Sequence, residues 1–128
     1  MIEISNPQSI SKEAAGILIN ALNNKNFDSF CNAAWLNYSS EKQNLDVFDP
    51  VTNRLIFTGA RIHASGGEGD GASLEIVFQC KKINEDSSTE EFFFKIEGNY
   101  SSWADNSYER TITIVKPEPR TVIFYEPI

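Results

Sequence analysis

Apolar residues recur along the first third of the chain at the spacing of a helix and along the remainder at the spacing of a strand. Between Ile10 and Asn24 they fall at Ile10, Ala14, Ile17, Leu18, Ala21 and Leu22, which predicts an amphipathic helix with Ser9 or Ser11 as its N-cap. Asn23-Asn24-Lys25-Asn26 is expected to end it, because asparagine tolerates the left-handed backbone at which helices stop. Phe27, Phe30, Cys31, Ala34 and Trp35 repeat the helical spacing and predict a second, shorter helix against the first.

From Leu45 the period changes to two, and β-branched and aromatic residues become frequent. Leu45–Phe48 leads through the turn Asp49-Pro50-Val51-Thr52-Asn53 to a strand over about Leu55 to Ala64. Leu74, Ile76, Phe78 and Cys80 then alternate with Glu75, Val77, Gln79 and Lys81. After a polar loop at Asn84–Glu90, Phe92, Phe94 and Ile96 resume the pattern. Arg110 to Val115 and Thr121 to Tyr125 read as further strands, separated by Lys116-Pro117-Glu118-Pro119, which no central strand accommodates. The expected fold is α+β. One or two helices within residues 1–40 pack on a mostly antiparallel meander of five or six strands within 44–128, all in a single domain.

With 128 residues, 41% hydrophobic and 23% charged, the composition is that of a globular chain long enough to bury its own core. No apolar run approaches 18 residues, and Met1-Ile2-Glu3-Ile4-Ser5-Asn6-Pro7 has neither the basic start nor the apolar centre of a signal peptide, so no membrane association and a cytoplasmic location are expected. Cys31 and Cys80 lie outside any Cys-x-x-Cys spacing. They read as two buried thiols, with a disulfide joining the helical half to the sheet as the alternative. The net charge of −7 and pI near 4.6 argue against nucleic acid as a direct ligand. Such a charge serves solubility, or it presents carboxylates to the basic surface of another protein.

Gly66-Gly67-Glu68-Gly69-Asp70-Gly71 is the most unusual segment. As a phosphate loop it lacks the Gly-Lys-Ser/Thr sequence and carries Glu68 and Asp70 where anion binding needs bare amides. As a calcium repeat it has Gly71 where aspartate is needed. It reads as a tight connection between strands, with Gly66, Gly67, Gly69 and Gly71 shaping the turn; a contact loop or a weak metal site are the other readings. No metal or other cofactor is expected. His63, the only histidine, is formally a general base, but no nucleophile motif accompanies it. Asn99 to Tyr108 mixes Tyr100, Trp103 and Tyr108 with small polar residues and Asp105, which suits either a contact loop or a lid over one end of the sheet.

Taken in order, Gly66-Gly67-Glu68-Gly69-x-Gly71, Val77-Phe78, Lys95-Ile96-x-Gly98-x-Tyr100-Ser101-Ser102-Trp103, Val115-x-Pro117 and Val122-x-x-Tyr125-Glu126 resemble a group of small, mostly uncharacterised proteins encoded by bacteriophages and other mobile elements. The resemblance covers the C-terminal half, from Gly66 to Glu126. It implies a phage or prophage protein acting inside a bacterial host cell, and no particular reaction. The resulting expectation is a non-enzymatic accessory protein that binds another protein, a host defence component being one candidate, with Glu68, Asp70, Tyr100, Trp103, Asp105 and Tyr108 as contact residues. The alternatives are a small hydrolase or nucleotide-processing enzyme using His63, Glu68 and Asp70, and a structural or assembly protein of a phage particle.

Overall fold

The computed structural model describes residues 1–36, 45–67, 69, 71–101, 105–119 and 123–128. A short strand β1 (Glu3–Ser5) and a 3-10 turn at Pro7–Ser9 precede helices α1 (Lys12–Asn23) and α2 (Phe27–Leu36). Strands β2 (Val47–Phe48), β3 (Leu55–Gly66), β4 (Ser73–Ile83), β5 (Thr89–Asn99), β6 (Ser107–Tyr108) and β7 (Thr111–Val115) follow.

Ser11 caps α1: its backbone is extended and its Oγ accepts the Ala14 N–H at 3.1 Å. The buried stripe Ala14, Leu18 and Leu22 repeats every fourth residue, which is why this helix lies on the sheet. The asparagines after it divide their work differently from expectation. Asn24 closes α1 at φ −85°, outside the left-handed region, while the Asn26 Oδ1 accepts the Ser29 N–H at 3.1 Å and so starts α2. Asn23 reaches sideways, its Oδ1 accepting the Ile2 N–H at 3.0 Å. Among the described residues, the asparagines with positive φ are Asn6 and Asn53, in the turns after β1 and β2.

The strands form one sheet in the order β1-β7-β5-β4-β3-β2, with β6 paired to the end of β5. From β2 to β5 it is an antiparallel meander, as the alternation implies. Two departures concern its edges. Glu3–Ser5 adds to β7 in parallel, a strand too short for any alternation to announce. Of the strand expected over Thr121 to Tyr125, Thr121 and Val122 lie outside the described residues, and Ile123, Phe124 and Tyr125 have no strand pairing and are exposed. The place beside β7 is taken by β1, and Pro117 and Pro119 lack the amide donors that would continue a ladder.

Both helices sit on one face of the sheet. The core between them centres on a stack in which Phe78 lies 5.3 Å from Phe30 and 4.9 Å from Phe94, ring centroid to centroid. Cys31 and Cys80 are fully buried free thiols in this core, and burial raises the pKa of each far above the ordinary thiol value. Arg110 ties α2 to the last strands through two hydrogen bonds to the Asp28 carboxylate, at 2.8 and 3.0 Å, with its guanidinium 4.9 Å from the Phe27 ring centre. Among the described residues, no helix is long and apolar enough to cross a membrane.

Candidate contact site

The register puts Gly66 opposite Leu74 and Ser73 opposite Asn99 at one end of the sheet, and Phe57 opposite Lys82 and Ile83 opposite Thr89 at the other. The glycine segment occupies the first end. Gly66, Gly67 and Gly71 all have positive φ, at 89°, 76° and 74°, so the requirement read from sequence is met at three of the four glycines. The Gly67 N–H donates to the Ser73 carbonyl at 3.0 Å and the Ala72 N–H to that of Gly69 at 2.9 Å. The segment is also latched sideways: Gly71 N–H donates to the Tyr100 carbonyl and Tyr100 N–H to the Ala72 carbonyl, both at 2.9 Å. Trp35 of α2 closes over it so tightly that a Cβ on Gly67 would stand 2.4 Å from the indole.

Tyr100 packs on Trp35, with centroids 5.6 Å apart, and is half-buried against the core. Tyr108 is 6% exposed; its hydroxyl donates to the Asn32 Oδ1 on α2 and accepts from Asn106 Nδ2 at 3.2 Å, and burial raises its pKa. These two aromatics therefore cover one end of the core. Asp105 is exposed. Glu68, Asp70 and Trp103 lie outside the described residues. His63 stands exposed opposite Val77, on the sheet face without helices.

The opposite end holds a feature the sequence reading did not assemble. A polar cleft of about 520 Å³ opens between the β2–β3 turn, the β4–β5 turn and the first turn of α1. Two of its carboxylates are held by their own turns. The Asp49 Oδ1 accepts the N–H groups of Val51 at 2.8 Å and Thr52 at 3.1 Å, and these bonds lower its pKa, that from Thr52 most. The Asp86 Oδ1 accepts the Ser88 hydroxyl at 2.5 Å and its N–H at 3.0 Å, with the same consequence. Glu85 and Glu13 complete the acidic lining, and Arg54 donates to the Glu85 carbonyl at 3.3 Å.

The cleft's floor is Lys82, whose side chain is 8% exposed. Its ammonium donates to the Asn84 Oδ1 and lies 3.2 Å from Glu13 Oε2, so a cation on the core-facing side of β4 meets a carboxylate of α1. The sequence does carry a signal for it: Lys82 continues the series Leu74, Ile76, Phe78, Cys80, in phase with the buried face. Both turns were legible as turns. That they stand together depends on register, which the local pattern does not contain.

Among the described residues, no three His, Cys, Asp or Glu side chains are grouped to hold a metal ion. No protein-family model matches this chain, and comparisons with curated proteins and with solved structures give no match.

Proposed function

We propose that this protein is a non-enzymatic binding module, an accessory protein of the phage type that its C-terminal half resembles, and that its acidic end docks on the basic surface of another protein in the bacterial cell. A host defence component is the partner class that suits this reading. The observation that carries it is the cleft in which Asp49 and Asp86 are already held by their own turns. Carboxylates fixed before contact lose little freedom on binding. In a chain of net charge −7 they also add to a field that speeds encounter with a cationic surface.

The test is affinity capture from a bacterial lysate at low salt, followed by titration of the captured complex with salt. A stoichiometric partner released as ionic strength rises is expected. The triple variant Asp49→Asn, Glu85→Gln, Asp86→Asn keeps the acceptor oxygens of both turns while removing three charges, and should slow association by about tenfold. Recovery of no stoichiometric partner, or a partner bound equally well by the variant, overturns the proposal.

A further inference from the structure

The backbone of β5 leaves one stretch of the sheet unfinished. Successive residues of an antiparallel strand aim their N–H and C=O groups to opposite sides. Asn84 N–H donates to the Ser88 carbonyl and Tyr100 N–H to that of Ala72, both at 2.9 Å, so along β5 the even-numbered residues bond to β4. Glu109 N–H donates to the Glu97 carbonyl at 2.9 Å, and the odd-numbered residues face the other way, Phe93 and Lys95 toward Val115 and Thr113 of β7. Thr89 and Glu91 share that direction, and β7 ends before reaching them. Among the described residues, nothing bonds to the N–H or C=O of either.

The chain does not supply the partner itself. Continuing the Phe93–Val115 register would set residue 117 against Glu91 and residue 119 against Thr89, and both are prolines, with no N–H to give. Beyond Val115 the chain turns out of the sheet instead, Pro117 and Glu118 bordering a groove on the helix-free face with Ile62 and Val77. The place it vacates is a cavity of about 450 Å³. Phe92 and Ile114 from the helix-covered face line it, and so do Phe93 and Val115 from the other, with Ser9 and Pro117 at its margins. A cavity lined from both faces lies in the plane of the sheet, where a further strand would run.

We infer that this edge receives an extended peptide segment of a partner protein, which adds to β5 as a short antiparallel strand in the place that β7 leaves. The unpaired ladder groups are what select this occupant. They require a second extended backbone, whereas an apolar hollow alone would suit any side chain. Residues of the segment facing Glu91 and Thr89 exchange N–H and C=O bonds with them. The residue facing Phe92 turns its side chain toward Phe92 and Ile114, and an aliphatic side chain suits that wall. The ladder groups are uncharged, so this site does not rest on the acidic cleft, and either reading can fail without the other.

The experiment is a titration of the full chain with the peptide acetyl-Ile-Thr-Val-Thr-amide, followed through the backbone amides by NMR. Its isoleucine is placed to face Phe92 and its two threonines to face Glu91 and Thr89. Saturable shifts at Thr89, Glu91 and Ile114 are expected, with Kd about 1 mM and no dependence on salt. Slowed hydrogen exchange at the Thr89 and Glu91 amides should accompany them. N-methylation of the first threonine removes the donor to the Glu91 carbonyl and should raise Kd more than tenfold. Glu91→Pro removes an N–H that β4 does not use, so the fold should stand while binding is lost; if that variant fails to fold, the N-methyl peptide decides. Absence of shifts at Thr89 and Glu91 with about 10 mM peptide overturns the inference. So does equal binding of the N-methyl peptide, which would mean a side-chain contact without a ladder. A dimer of the unliganded chain that Glu91→Pro splits also overturns it, since the occupant would then be a second copy.

Discussion

Gly66 and Gly71 share a left-handed backbone, at φ 89° and 74°, but a methyl group added at each meets different surroundings. At Gly71 it finds nothing within 4 Å; at Gly66 it would stand 2.1 Å from the Ser73 carbonyl oxygen, a backbone atom fixed by the β3–β4 ladder. Gly71→Ala should therefore lose only the conformational term, about 1–2 kcal/mol, and Gly66→Ala about 3 kcal/mol or more, measured by urea unfolding. Equal losses would mean that the ladder gives way at Ser73. The glycine segment's demand for positive φ was legible because glycine has few other uses at such density. Its attachment to Trp35 and Tyr100 was not, since that contact joins residues far apart in the chain. Lys82 lies between these cases: its phase on β4 is visible in sequence, but Glu13 as its partner depends on where α1 comes to rest.

The start of α1 shows how an element's end is fixed by a neighbour as well as by its own cap. Ser11 accepts from Ala14 N–H, and it also donates twice to Glu90 of β5, its N–H to Oε1 and its hydroxyl to Oε2, each at 2.8 Å. Ser11→Ala removes both roles of the hydroxyl and should destabilise by about 1–2 kcal/mol. On a lone helix Ser11→Asp would be harmless, because aspartate caps as well as serine. Here it sets a second carboxylate against Glu90, so it should lose at least as much as Ser11→Ala, and Glu90→Gln should restore most of the loss. Chemical denaturation of the two single variants and the double variant measures the coupling directly; a fully stable Ser11→Asp would show that the Glu90 contact contributes nothing. At this scale both helices and the long strands were readable from periodicity, which is written in local side chains. The edges were not: Glu3–Ser5 owes its pairing to a free side of β7, and Ile123–Tyr125, for all its strand propensity, finds that place taken and has no strand pairing.

Across the whole molecule, the charge that supports the docking proposal also sets a limit on stability in acid. Asp28, Asp49 and Asp86 have pKa values below the ordinary 3.8, Asp28 chiefly through its hydrogen bond with Arg110 and the other two through the bonds of their turns. A carboxyl group that holds its proton less tightly when folded than when unfolded stabilises the fold fully above its unfolded pKa, and that stabilisation is lost as pH falls through the folded value. Melting temperature should therefore stay level from neutral pH to about 5 and fall steeply below about 4. Repulsion among the 11 Lys and Arg residues, no longer balanced once the acids are protonated, steepens the same limb. That repulsion is nearly the same in Asp28→Asn, so the variant isolates the α2–Arg110 contribution. Asp28→Asn should melt lower than wild type at pH 7 and lose less on acidification, so that the two curves converge near pH 2. Parallel curves down to that pH would mean that the Asp28–Arg110 pair does not link α2 to the sheet energetically, and the acid limb would then belong to the two turns of the cleft.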